Sequence, residues 1–224
     1  MKLAIQICSE HEWKSIKSIL KVDRGQLRKQ PYGDYFNHRV GRHPSLVYHS
    51  GATKTRAAAA CQFAIDSWHP DAVINLGTCG GVSEKVSRLD IIIAQKTRQY
   101  DVNQIFGEPT IRFMKDLWTA LDLSWVDLSK VSRKIRIGTI ASADQDLNHK
   151  QRMKLQREKV ITADWESASI AKVCELNRMK CLIMRGVTDI PKKHGGLKQD
   201  DDYKKNAPII MQDLLSILSQ ITFC

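Results

Sequence analysis

The sequence predicts a three-layer α/β/α sandwich with a central mixed sheet, formed by one domain over residues 1–224. Three observations lead there. Seven short runs are almost continuously apolar and rich in β-branched residues, the pattern of strands covered on both faces. Segments of helical period and length lie between several of them, and glycines gather where runs end. At 224 residues with 42% hydrophobic side chains, the chain can bury one substantial core.

Taken in order, KLAIQIC (2–8) reads as the first strand and leads into the acid-bearing SEHEW. The polar stretch around 22–40 is expected to be a surface loop or a short exposed helix. SLVYHSG (45–51) is a strand ending in the turn SGATK, followed by a helix over TKTRAAAACQFAIDSW (53–68). AVINLGTCGG (72–81) and LDIIIAQKTRQY (89–100) are the next strands, then KIRIGTIASA (134–143) and VITADW (160–165). A helix over ESASIAKVCELNRM (166–179) precedes the strand CLIMRGVTD (181–189). A second polar stretch, around 192–206, is likewise expected to be a surface loop or a short exposed helix, before a last helix over APIIMQDLLSILSQI (207–221). Ligands of open α/β sheets bind beyond the C-terminal ends of strands. GTCGG is neither a dinucleotide fingerprint nor a P-loop, because the glycine spacing and a following Gly-Lys-Ser/Thr are missing.

Composition narrows the function classes. No apolar run reaches the roughly 18–20 residues of a membrane helix, and MKLAIQICSEHEW meets charge too early for a signal peptide. A cytoplasmic setting is expected, with no membrane partner. The six cysteines lack the paired spacing of a zinc or redox motif and read as buried free thiols. The formal net charge of +11 favours an anionic partner. Without any nucleic-acid module it reads as a basic solvated surface, and nucleic acid is not an expected partner.

The stretch VITADWESASIAKVC raises a chemical question. Asp164 suits a helix start, where a carboxylate accepts orphan amides. Capping gives no account of Trp165 beside it, nor of the acid-bearing MRGVTDIP that follows. Read alone, Asp189 is a loop or cap acid, Glu12 part of a solvated turn with Glu10 and His11, Arg185 a surface ion pair, and Trp165 packing beneath a helix.

In order and at their spacing, KLAIQICSEHEW, SGATKTRAAAA, VINLGTCGGV with LDIIIAQKTRQYD, IGTIASADQDL, ADWESASIAKVC and MRGVTDIP resemble the nucleoside phosphorylase and nucleosidase superfamily. The resemblance is greatest to its 5′-methylthioadenosine/S-adenosylhomocysteine nucleosidases, and 23 positions separate Glu166 from Asp189. It implies a nucleoside phosphorylase-like fold, cleavage of the N-glycosidic bond of a purine nucleoside, no cofactor or metal, and a homodimer. It also implies roles. Asp189 would deliver a proton to purine N7, Glu12 would activate the attacking water with help from Arg185, and Glu166 would accept the ribose 2′ and 3′ hydroxyls. Thr78, Cys79, Gly80, Asp146, Leu147 and Thr188 would line the substrate site. Trp165 stands where the family has methionine, and its indole would cover the ribose or base.

Family phosphorylases carry phosphate-binding arginines where this chain reads CSEHEW and Asn75, so hydrolysis is expected, with phosphorolysis or a non-catalytic nucleoside-binding relative as alternatives. Other departures bear on the substrate. Asp146 replaces the aromatic that stacks on adenine, Thr53 replaces a turn glycine, and Ser9 replaces a methionine of the 5′-alkylthio pocket, where Tyr203 or Phe106 would have to supply the aromatic. Methylthioadenosine and S-adenosylhomocysteine remain candidates within the broader class of purine nucleosides.

Overall fold

The computed structural model describes residues 1–102, 111–191 and 197–224. Nine strands form a continuous path in one mixed sheet, and helices cover both of its faces. In chain order the strands are β1 (Leu3–Ile7), β2 (Arg28–Gln30), β3 (Gly33–Val40), β4 (His43–His49), β5 (Ala72–Gly81), β6 (Ile91–Gln99), β7 (Trp118–Ala120), β8 (Val126–Asp127), β9 (Ile135–Ser142), β10 (Val160–Asp164), β11 (Lys180–Asp189) and β12 (Thr222–Phe223). The helices are α1 (Glu10–Ile19), α2 (Lys54–Trp68), α3 (Ile111–Asp116), α4 (His149–Arg157), α5 (Ser167–Leu176) and α6 (Leu197–Gln220).

The sheet order is β10-β9-β6-β11-β5-β1-β4-β3-β2, with β7 on β6 and a separate β8–β12 pair. β5 lies parallel to β1 and β11, whereas β11 lies antiparallel to β6. β10 pairs with β9 and also, antiparallel, with the end of β5, so β5, β11, β6, β9 and β10 close a ring of pairings. The closure brings the C-terminal ends of β5, β10 and β11 together.

Most of the apolar runs form strands whose residues are buried on both sides; β9 is an exception, with Ile137 49% exposed. On one face, Trp13 and Ile16 of α1 and Ile210, Met211 and Leu214 of α6 pack on Ile5, Ile74 and Leu182. On the other, Ala57, Ala60 and Ala64 of α2 and Ile170 and Ala171 of α5 pack on Val73, Ile92 and Ile183. The alanine face of α2 lets that helix lie close to the sheet. Five cysteines are buried free thiols, and Cys224 is exposed. No described helix is long and apolar enough to cross a membrane.

One expectation needs correction in part. In the polar stretch 22–40 a short exposed 3₁₀ helix is present at Arg24–Gln26, but most of the rest forms the hairpin β2–β3 at the sheet edge, whose charged exposed positions conceal the buried Phe36 and Val40. In the stretch 192–206 the helix alternative holds from Leu197, but this helix is continuous with the last one, so α6 starts ten residues before Ala207. Asp201, Lys204 and Lys205 of its early part are exposed. Helices α1 and α4 were also unforeseen, although both begin with a capping box, Ser9 with Glu12 and Asn148 with Gln151.

Helix α2 ends at His69 in the left-handed conformation, with φ 45° and ψ 59°. A side chain there costs about 1–2 kcal/mol that glycine avoids. His69→Gly is therefore expected to stabilise the protein by about 1 kcal/mol in urea denaturation. An unchanged or lowered midpoint counts against this account of the helix end.

Candidate active site

A cavity of about 750 Å³ opens where β5, β10 and β11 end. Glu12, Asp146, Asp164, Glu166 and Asp189 line it, and among the described residues no lysine or arginine does.

The three acids of greatest interest differ in how much of their acceptor capacity the protein uses. Asp164 Oδ1 accepts from Ser142 Oγ at 2.5 Å and from the amides of Glu166 and Ser167 at 3.2 and 3.1 Å. Its Oδ2 accepts from Ser167 Oγ and from Arg185 Nε, the latter at 2.6 Å. A carboxylate offers about four lone-pair sites, so Asp164 is saturated and fixes the start of α5. The capping reading holds for this acid.

Glu12 is partly used. Thr78 donates its amide and its hydroxyl to Oε1, each at 2.7 Å, and the Ser9 amide donates to Oε2 at 3.1 Å. Of the roughly four acceptor sites of a carboxylate, one remains on Oε2. The capping box of α1 thus fixes the side chain, and only 4% of Glu12 is exposed.

Glu166 is the most open. Its Oε1 accepts the Thr53 amide at 3.3 Å, and its Oε2 lies 3.9 Å from Arg185 Nη2. Burial pushes its carboxyl up to about 8; Arg185 pulls the other way, and the charges of Asp164 and Glu12 add to the rise. The Thr53 amide reaches it from a strained backbone, φ 86° and ψ 150°, a region that only glycine occupies at ease.

Asp189 sits at the end of β11, opposite Gly80 across a register shift. Thr188 Oγ1 donates to Asp189 Oδ1 at 2.8 Å, and Asn206 of α6 donates to the Thr188 carbonyl at 2.7 Å. A Cβ on Gly80 would lie 3.6 Å from Asp189 Oδ2, so the carboxyl lies over the glycine loop.

Arg185 does not line the cavity. It is 1% exposed, and its Nε bonds Asp164 and Ser167 while Nη2 donates to Asn75 Oδ1 at 2.6 Å. The surrounding acids hold its proton more firmly than usual, against the desolvation that opposes the charge. Its position behind the carboxylates makes it a positioning group rather than a direct ligand of water. Gly77 makes room for it: a Cβ there would lie 2.0 Å from Nη1 and 3.0 Å from Glu12 Oε1.

The other expected site residues fall as follows. Thr78, Cys79, Gly80, Asp146, Leu147, Trp165 and Thr188 line the cavity with the acids. Cys79 donates to the Gly186 carbonyl, and burial pushes its thiol up, so it is no nucleophile. Trp165 is 38% exposed at the cavity and belongs to none of the buried clusters, unlike the packed aromatic of the bland reading. Tyr203 lines the cavity, whereas Phe106 and most of the basic KKHGGLK lie outside the described residues. Tyr100, whose phenol burial pushes up, and Asn148 also line the cavity and had no sequence signal beyond their neighbourhood. Ser142, Ser167 and Asn75 act one step back, through Asp164 and Arg185. No group of three His, Cys, Asp or Glu side chains among the described residues is placed to hold a metal ion.

Comparison with known proteins places this geometry in context. The model of the phosphorylase superfamily matches residues 2–222. A 5′-methylthioadenosine/S-adenosylhomocysteine nucleosidase of Thermotoga maritima is 28% identical over 193 residues, 85% of this chain and 83% of that one. The fold is shared with the Helicobacter pylori nucleosidase of the same name bound to butyl-thio-DADMe-Immucillin-A, at a TM-score of 0.83, 20% identity and 97% coverage of both chains. It is equally shared with the futalosine hydrolase of Helicobacter pylori, at a TM-score of 0.82, 19% identity and 97% coverage of both.

Two outcomes test the site's construction. Gly77→Ala drives a methyl into Arg185 and is expected to destabilise the fold by about 2–4 kcal/mol, whereas Gly80→Ala, in ordinary contact distance, costs less than about 1 kcal/mol. Equal effects in denaturant titrations contradict the packing argument. The second concerns pH. The folded protein keeps a proton on Glu166 that the unfolded chain loses near the usual carboxylate range, so this group's contribution to stability declines as pH rises toward about 8. Melting temperatures from pH 5 to 8 should therefore fall less steeply in Glu166→Gln than in the wild type; parallel slopes contradict the shift.

Proposed function

Because the chain belongs to the phosphorylase superfamily, we propose that it is a nucleosidase that hydrolyses the N-glycosidic bond of a purine nucleoside. The observation that carries this reading is the graded set of carboxylates around one cavity: saturated Asp164, one acceptor site left on Glu12, and open Glu166.

Cleavage of the bond places positive charge on the ribose and negative charge on the departing base. Asp189 carries the proton to purine N7 and makes the base a better leaving group. In its deprotonated form Glu166 accepts the 2′ and 3′ hydroxyls, which a carboxylate with free lone pairs can do at once. Glu12 receives one O–H of a water through its remaining acceptor site and aims the oxygen at C1′. The C1′–N9 bond breaks, the water oxygen bonds C1′, and its proton passes to Glu12. Trp165 covers the sugar or the base from the cavity wall.

Charge separates hydrolysis from phosphorolysis. A phosphate dianion would enter a cavity lined by carboxylates with no lysine or arginine among the described residues. Arg185, behind the carboxylates, is already engaged by Asp164, Ser167 and Asn75. Water meets no such repulsion. The same reading carries a cytoplasmic setting, which the unpaired cysteines favour, a homodimer, and one domain over the chain, which the family match over residues 2–222 favours.

Incubation with a panel of purine nucleosides in phosphate-free buffer should release free base and a reducing sugar. Strict dependence on phosphate with a sugar 1-phosphate product contradicts hydrolysis. Asp189→Asn is expected to lower kcat by about 10²–10⁴-fold with little change in nucleoside affinity. A variant within threefold of wild type removes Asp189 from the chemistry.

A further inference from the structure

Two successive amides at the start of α2 are taken by carboxylates from distant parts of the chain. The Thr53 amide donates to Glu166 Oε1 at 3.3 Å, and the Lys54 amide donates to Asp144 Oδ1 at 2.7 Å, across 90 positions of sequence. The Thr53 hydroxyl makes no capping bond, so Asp144 satisfies an amide at a helix start whose own cap residue does not. Asp144 is held in turn. Its amide donates to Asp101 Oδ2 at 2.9 Å, and Asp101 Oδ1 accepts the Lys54 ammonium in an ion pair whose side chains are 15% and 19% exposed. The segments that follow β6 and β9 are thereby tied to the first residue of α2.

The two amide bonds hold the peptide planes on either side of Thr53. Only φ and ψ of this residue relate those planes, so fixing both planes keeps Thr53 at φ 86° and ψ 150° despite the strain on a threonine there. Released at Lys54, Thr53 is free to relax toward negative φ, which turns its amide away from Glu166. The orientation of the Glu166 carboxylate therefore depends on Asp144, an exposed residue outside the cavity lining.

The inference rests on the nucleosidase reading, in which Glu166 accepts the ribose diol. We propose that Asp144 is a positioning residue for that reaction, acting through the Lys54 and Thr53 amides to aim Glu166 at the 2′ and 3′ hydroxyls.

The test compares kcat/KM for a purine ribonucleoside with that for its 2′-deoxy analogue, in the wild type, Asp144→Ala and Asp144→Asn. A misaimed Glu166 loses its grip on the hydroxyls, so Asp144→Ala should lower the ribonucleoside value by about 10–100-fold. The 2′-deoxy value should fall less, which shrinks the preference for the 2′-hydroxyl by about threefold or more. A role in stability alone removes active enzyme for both substrates equally and leaves their ratio unchanged. Asp144→Asn keeps a carbonyl that accepts the Lys54 amide and should hold the wild-type ratio within about twofold. Where Asp144→Ala does not fold, Asp144→Glu, which keeps the charge but displaces the acceptor, carries the same expectation. A wild-type ratio in the Ala or Glu variant overturns the inference and leaves the nucleosidase reading standing. An equal loss in Asp144→Asn does the same, since it assigns the effect to charge rather than to the bond. A wild type that cleaves no purine nucleoside overturns both.

Discussion

One buried guanidinium organises this site. Arg185 lies at the centre of an ion pair with Asp164, itself almost fully buried, and within 3.9 Å of Glu166. Removing one partner from such a pair costs about 3–5 kcal/mol, because the other charge is left without water or counter-ion. The sequence choices around it follow from that constraint. Gly77 leaves the space, Asn75 accepts from the far end of the guanidinium, and Ser142 and Ser167 complete the shell of Asp164. Strands β5, β9, β10 and β11 and the start of α5 supply these groups, and the pairing of β10 with the end of β5 keeps the ends of β5, β10 and β11 together.

Beside the saturated Asp164, the neighbouring acids keep acceptor sites that the protein does not fill. Glu12 is fixed by its helix cap and by Thr78, so its open acceptor site has a defined direction. Glu166 is held at a distance from Arg185 that moderates the cost of burying it without satisfying it. An unsatisfied buried carboxylate is an expensive feature for a core and a useful one for a ligand bearing two hydroxyls. The strained amide of Thr53 points the same way, since backbone strain of this kind persists where surrounding structure over-determines it.

Much of this was legible in the sequence because it follows from local pattern. The run AVINLGTCGG became β5 with the same bounds, and CLIMRGVTD lies within β11, since a strand covered on both faces must be apolar throughout. The edge hairpin was hidden by polar residues that face solvent, and the first turns of α6 by a polar sequence without apolar periodicity. Helix α1 had a readable signal in Ser9-x-x-Glu12, overlooked because the glutamate also suited a catalytic role. It serves both, as cap and as cavity acid. The function of Arg185 behind the acids was not legible. It depends on contacts 110 positions apart in the chain, with Asn75, and on the space above a glycine. The division between a saturated Asp164 and an open Glu166, two residues apart, is likewise a property of three-dimensional neighbours.

The most direct measurement of the central claim is a crystal structure of Asp189→Asn with an intact purine nucleoside. The account predicts the ribose diol on Glu166, purine N7 facing position 189, and an ordered water between Glu12 and C1′, with Arg185 still bonded to Asp164. A nucleoside that contacts neither Glu166 nor position 189, or an Arg185 that swings into the cavity to meet it, contradicts the account.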